Sequence, residues 1–203
     1  MDAARVSALR EALTGTPYPR AIRGFGRSLR AAVQRGGGEL LLVGTPGYEP
    51  WHLAAHLDEE AAWSGLAGLS PTLVRHRVPA GAPAHLAVGV SRLRAAVRGE
   101  TLLVVAPDPV GAVALERLAD ARRAGATLLT VDGAADPELR GLSHELLAVP
   151  TVPAPYAPPG TLALDLEAVQ HLVSAAAAAP RAPLRARLSR LADRLSTPPP
   201  PSW

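Results

Sequence analysis

The spacing of apolar residues changes several times along the chain, and each change marks an element. Val6, Leu9 and Leu13 recur at helical intervals and predict a short helix over 3–14, stopped by Gly15, Pro17 and Pro19. Ile22, Phe25, Leu29 and Val33 repeat that spacing and predict a second helix over 20–35. Arg20, Arg23, Arg27 and Arg30 fall on another sector of it, and Gly24 and Gly26 weaken it. After Gly36-Gly37-Gly38 the helical period disappears. Glu39-Leu40-Leu41-Leu42-Val43 is an aliphatic run bounded by glycines, the pattern of a strand buried on both faces.

The alternation then continues. The turn at 44–50 leads into a helix from about Trp51 to Ser64. Leu73 to Val78 reads as a strand near a sheet edge, because Arg75 and Arg77 interrupt it, and Ala84 to Val97 reads as a helix. Thr101 to Ala106 is a strand, followed by the turn Pro107-Asp108-Pro109 and a helix to Ala124. Strands follow at Thr127–Val131 and Glu145–Val149, with a loop beginning at Asp132-Gly133. The proline-rich stretch 150–160 forms a linker or extended arm. Helices are expected over 162–179 and 183–195, and the proline run before Ser202-Trp203 reads as a mobile tail.

Short aliphatic strands alternating with amphipathic helices predict an α/β fold: a three-layer sandwich around a mainly parallel five-stranded sheet. Ligands of such sheets bind outside the carboxyl ends of the strands. That directs attention to the loops 44–50, 106–111, 132–136 and 150–160.

Composition removes several classes of chemistry. All 21 basic residues of the 203 are Arg, and 18 acidic residues leave a net charge of +3. No aromatic residues interleave with the arginine rows to stack bases, so nucleic acid is not an expected partner. Without Cys there is no disulfide, thiolate metal site or cysteine nucleophile. Without Lys there is no Schiff-base lysine and no phosphate-loop lysine. No apolar run approaches the ~20 residues of a membrane span, and the N-terminus lacks a secretory h-region. The expectation is therefore a cytoplasmic protein with no membrane partner.

On the helix after the first strand, His52, His56 and Glu59 share one sector with Trp63, while Leu53, Leu57 and Ala61 face elsewhere. Two imidazoles and a carboxylate suit either a metal or acid/base work, with Glu49 nearby. The same spacing also describes a solvated polar face. His171, stacked with Glu167 one turn away, fits a surface or an interface between copies. His76 and His85 carry no pattern, and His144-Glu145 precedes the last strand.

Two segments resemble the SIS (sugar isomerase) domain family. They are Glu39 to Gly47 with the helix from Trp51, and Thr101 to Asp132, TLLVVAPDPVGAVALERLADARRAGATLLTVD. The resemblance covers about residues 20–179 and implies flavodoxin-like topology, with N-terminal helices at 1–35, an SIS-like domain at 36–179, and a C-terminal helix and tail at 180–203. His52-Leu53-Ala54-Ala55-His56-Leu57 is similar to the first-helix motif of phosphoheptose isomerases, with His56 where those have Glu. The resemblance implies a sugar phosphate or related small anion as ligand and, if the chain is active, ketose–aldose isomerisation. Glu49, His52 and His56 would be its acid/base groups, and Gly44, Thr45, Gly47, Asp108 and Gly111 would line the ligand. No cofactor is required; zinc, if bound, would be held by His52, His56 and Glu59, with His171 as a further candidate.

The resemblance also implies a homodimer, and the small residues Ala175 to Ala179 would permit close helix contact. The phosphate loop departs from the family: Ala106-Pro107-Asp108-Pro109-Val110-Gly111 has no hydroxyl, and its two prolines lack N–H donors. The alternative is a non-enzymatic dimeric scaffold or regulatory module built on the same fold.

Overall fold

Five strands, all parallel, form one sheet in the order β2-β1-β3-β4-β5. They are β1 (Leu40–Val43), β2 (Pro71–Val74), β3 (Thr101–Ala106), β4 (Thr127–Asp132) and β5 (Glu145–Ala148). The helices are α1 (Tyr18–Gly36), α2 (Trp51–Ser64), α3 (Ala112–Arg123), α4 (Pro137–Leu142) and α5 (Leu166–Ala178). This computed structural model describes Leu13 and residues 15–149 and 164–179. The expected helices over 3–14 and 183–195, the 150–160 arm and the proline-rich end fall outside those residues, except for Leu13, which is buried.

The strands read as unbroken aliphatic runs because both faces of the sheet are covered. Leu40, Leu42, Leu103, Val105, Leu129 and Val131 point to one side, where they meet Phe25 and Leu29 of α1, Leu53 and Leu57 of α2, and Val169 and Val173 of α5. Leu41, Val43, Leu102, Val104 and Leu128 point to the other side, against Leu93, Ala114, Leu118 and Leu139. The three-layer expectation holds. Among the described residues, no helix is long and apolar enough to cross a membrane.

Three local expectations are corrected. Ala84–Val97 is not an α-helix but two 3-10 turns, Ala84–Leu86 and Val90–Ala95. Gly89 between them is extended, and Arg75 bridges to it: the Arg75 N–H donates to Val88 O at 2.8 Å, and the Val90 N–H donates to Arg75 O at 3.0 Å. Capture of that segment at the sheet edge competes with helix formation. The same bridge ends β2 at Val74 rather than Val78, although β2 is an edge strand as expected. The loop expected after β4 contains α4, whose N-cap Asp136 accepts from the N–H groups of Glu138 (2.9 Å) and Leu139 (3.2 Å), with Pro137 in its first turn.

Gly26 is also read differently in the fold. A β-carbon on it would sit 2.5 Å from Ala176 Cβ, because α5 crosses α1 at this point. The residue that lowers helix propensity is the one that allows the crossing. The Ala175–Ala179 surface, expected to serve a second copy, therefore contributes Ala176 and Ala177 to a seam within the chain.

Candidate functional site

β1 and β3 are the strands from which the chain departs in opposite directions: β1 leads to β2 through α2, and β3 leads to β4 through α3 on the other face. Their carboxyl-end loops consequently face each other across the rim of the sheet. After Val43 the chain turns back on itself. The Thr45 N–H donates to Tyr48 O at 2.9 Å, and the Tyr48 N–H donates to Thr45 O at 3.2 Å. Any side chain at Gly44 would overlap the Tyr48 carbonyl, so the turn requires glycine there. The Gly44 carbonyl accepts from His76 Nε2 at 3.1 Å, which fixes the proton of that imidazole on Nε2.

The five predicted ligand-lining residues come together. A β-carbon on Gly47 would lie 3.2 Å from Asp108 Oδ2, and one on Gly111 would lie 3.8 Å from Pro46 Cγ. Thr45 is fully buried, and among the described residues its Oγ1 has no hydrogen-bond partner. Asp108 is half-buried.

The predicted acid/base residues separate into two groups. Glu49 accepts from Trp51 Nε1 at 2.9 Å and from Arg75 Nε at 3.0 and 3.2 Å, with Arg75 Nη2 also 3.0 Å from it. The Arg75 guanidinium lies 4.9 Å from the centre of the Trp51 ring. Both carboxylate oxygens of Glu49 are thus engaged at the start of α2.

The first turn of α2 begins a second group, an imidazole cluster. The His52 and His56 rings meet edge-on with centroids 4.8 Å apart, and His56 meets His171 of α5 at 4.6 Å. His56 Nε2 is 3.3 Å from His171 Nδ1, and His56 Nδ1 is 3.6 Å from Glu59 Oε2. A bond between two imidazole nitrogens needs one N–H and one lone pair, so the His56–His171 pair shares a proton donor. His171, which the sequence placed on a surface or interface, faces the neighbouring helix instead.

This arrangement does not fit the zinc set. Both ring nitrogens of His56 face protein groups, and among the described residues no group of three or more His, Asp or Glu side chains is arranged to hold a metal ion.

Next to this cluster, buried Gln170 holds the loop. Gln170 Nε2 donates to Tyr48 Oη at 2.9 Å and to Leu166 O at 3.2 Å, and the Tyr48 hydroxyl is 3.4 Å from Gln170 Oε1. Burial pushes the Tyr48 phenol above its usual pKa, against the opposing effect of the Gln170 bond.

The other flagged positions are structural. Asp132 is buried at the end of β4, where it accepts from the Ala135 N–H at 2.9 Å and pairs with Arg140 Nε at 2.9 Å. His144 Nδ1 accepts from the Leu128 N–H at 3.0 Å and so ties the start of β5 to β4.

Sequence reasoning missed a groove of about 410 Å³ between α1 and β5, lined by Arg20, Gly24, Phe25, Arg27, Glu145 and Leu147 among others. The groove exists because Gly24 presents no side chain beside an edge strand, and no periodicity signals that.

No family model and no curated protein matches the chain. Among solved structures it is similar to a crystal structure described as a "Putative sugar binding protein" from Salmonella typhimurium LT2, at 18% identity and a TM-score of 0.47. The match covers 85% of this chain and 46% of that one, so the chain spans less than half of that protein's length.

Proposed function

We propose that the chain is a divergent sugar-isomerase-like protein that binds a carbohydrate derivative at the rim between β1 and β3. The observation that carries this reading is the meeting of the 44–50 and 107–111 loops where the strand order reverses, with the hydroxyl of buried Thr45 unpartnered among the described residues. Crevices of this kind are where parallel α/β sheets take small ligands. A sugar phosphate is the ligand that the family resemblance implies. The rim residues serve its sugar part better than its phosphate.

The chemistry this site would support is proton transfer between adjacent carbons. His52 and His56 supply imidazoles, the side chains most often used as general acid and base. The His56–His171 contact and Glu59 orient the His56 ring. Glu49 is the weaker candidate, since moving a proton there means breaking its pairing with Arg75 and Trp51.

Thermal denaturation of the full chain with a panel of aldoses, ketoses and their phosphates tests the binding reading. A true ligand at one hundred times its Kd adds about 2.7 kcal/mol to stability. A panel that shifts no melting curve removes the proposal. Turnover is tested by exchange of substrate C–H for deuterium, followed by NMR. We expect exchange to vanish when His52 and His56 are both changed to Ala, and exchange that survives the double change refutes the assignment.

A second reading is a non-enzymatic dimeric scaffold. The occupied Glu49 carboxylate and the hydroxyl-free 106–111 loop favour it. A melting curve that none of these sugars shifts is its expected signature.

A further inference from the structure

Resting on the reading of the β1–β3 rim as a carbohydrate site, we infer that the site takes an unphosphorylated carbohydrate, held through hydroxyl or ammonium donors by the Asp108 carboxylate, and that it discriminates against the phosphate ester. Among the described residues Asp108 has no hydrogen-bond or ion-pair partner, although it is half-buried where the two loops meet. The other acidic side chain of these loops, Glu49, is paired with Arg75.

A carboxylate offers acceptors only, with two oxygens placed to receive two neighbouring hydroxyls or one ammonium. A phosphate is likewise an acceptor and negatively charged, so Asp108 has no hydrogen bond to give it. The two negative groups therefore repel each other, and more strongly the more water is excluded between them.

Pro107 and Pro109 remove two backbone donors from the loop. Neither 44–50 nor 107–111 contains a basic residue. Arg75, at the end of β2, is held by Glu49 and lies against Trp51. Gly47 leaves the approach to Asp108 Oδ2 clear of side chain.

Thr45 supplies an independent second observation. Its hydroxyl is wholly buried, two residues from Gly47, and lacks a partner among the described residues. A buried hydroxyl without a partner in a native fold calls for an explanation, and a ligand hydroxyl admitted where the two loops meet provides one.

The test is calorimetric titration of the full chain with sugars offered in pairs: glucose, fructose and glucosamine, each against its own 6-phosphate. The unphosphorylated member is expected to bind about tenfold more tightly. Asp108→Asn is expected to weaken the unphosphorylated member about tenfold and to narrow the gap within the pair. Because Asp108 has no partner, the variant should keep the parent melting temperature. Asp108→Ser serves as a second variant and should bring the phosphate ester closer to the free sugar.

Equal or tighter binding of the phosphate ester to the parent chain overturns the inference while leaving a carbohydrate site in place. A gap that Asp108→Asn leaves unchanged also overturns it. Absence of binding by every sugar, phosphorylated or not, overturns both the inference and the site reading beneath it.

Discussion

Among the described residues helix α5 packs against two other helices, α1 and α2, and it meets them with opposite kinds of surface. Against α1 the contact is apolar and tight: Gly26 brings the backbones together at Ala176 and Ala177, and Arg30 Nη1 reaches over to the carbonyls of Ala177 (3.1 Å) and Ala178 (3.0 Å) at the end of the helix. Against α2 and its preceding loop the contact is polar: Gln170 holds Tyr48, and His171 meets His56. The first seam has no adjustable parts, because packed backbone tolerates little displacement. The second is made of hydrogen bonds that depend on tautomer and side-chain angle. Helix α5 is thus fixed along one edge, and its opposite edge carries polar groups to the rim loop.

Breaking the tight seam should give the largest effect. Gly26→Val places two methyl groups where even one carbon would lie 2.5 Å from Ala176 Cβ, so the helices must separate. We expect a loss of about 3 kcal/mol in urea denaturation. Gly26→Ala is expected to destabilise too, despite a gain of about 1 kcal/mol in helix propensity. A stabilised Gly26→Ala would show that α5 does not cross α1 there.

Next in size is Arg30→Met, which keeps the aliphatic stem and removes both bonds to the last carbonyls of α5. Bonds from a charged donor on a half-exposed side chain support an expected loss of about 1–2 kcal/mol. The same midpoint measurement checks it, and an unchanged midpoint would mean that solvent caps the helix as well as Arg30 does.

How much of this was legible depended on whether a feature was periodic. The five strands and their layering followed from aliphatic runs such as Leu40–Val43 and from the helical repeats between them. The rim loops followed from the fold, since 44–50 and 107–111 leave the carboxyl ends of adjacent strands. What stayed hidden depended on contacts distant in sequence. Gly26 looked like a weakness until α5 was set against it, and Ala84–Val97 kept a helical pattern while Gly89 was taken up by Arg75. The His56–His171 pair spans 115 residues, and nothing local to either histidine encodes it. The Asp136 cap of α4 is local, but Asp-Pro-Glu after a strand is equally the pattern of a turn.

The polar seam should yield a smaller effect with a distinctive pattern. Gln170→Leu leaves the half-buried Tyr48 hydroxyl without its donor and is expected to cost about 1–2 kcal/mol. Tyr48→Phe removes the other partner. The double change should cost clearly less than the sum of the two single changes, because no polar atom is then left stranded. Additive losses would show that Gln170 acts through Leu166 O and packing rather than through Tyr48.

The smallest effect lies at the opposite end of the sheet, outside both seams, and it isolates electrostatics from packing. Glu39 accepts from the Thr72 hydroxyl and pairs with Arg92 at 2.9 Å, and Arg92 also pairs with buried Glu100. The Thr72 bond, followed by Arg92, holds the Glu39 carboxyl below its ordinary pKa, with partial burial opposing. A folded-state pKa below the unfolded value means that the charged form stabilises the fold. That contribution is complete above the usual glutamate range near ~4.3 and is lost as the pH falls through the lowered folded value. Glu39→Gln should therefore flatten the acid limb of the stability curve between about pH 5 and pH 3 and change little at neutral pH. Because the side chain is 41% exposed, solvent screening limits the effect to a few tenths of a kcal/mol, ~0.3 in order of magnitude. Urea midpoints measured across that range decide it: parallel curves for parent and variant would mean that Thr72 and Arg92 bind Glu39 no better than water does.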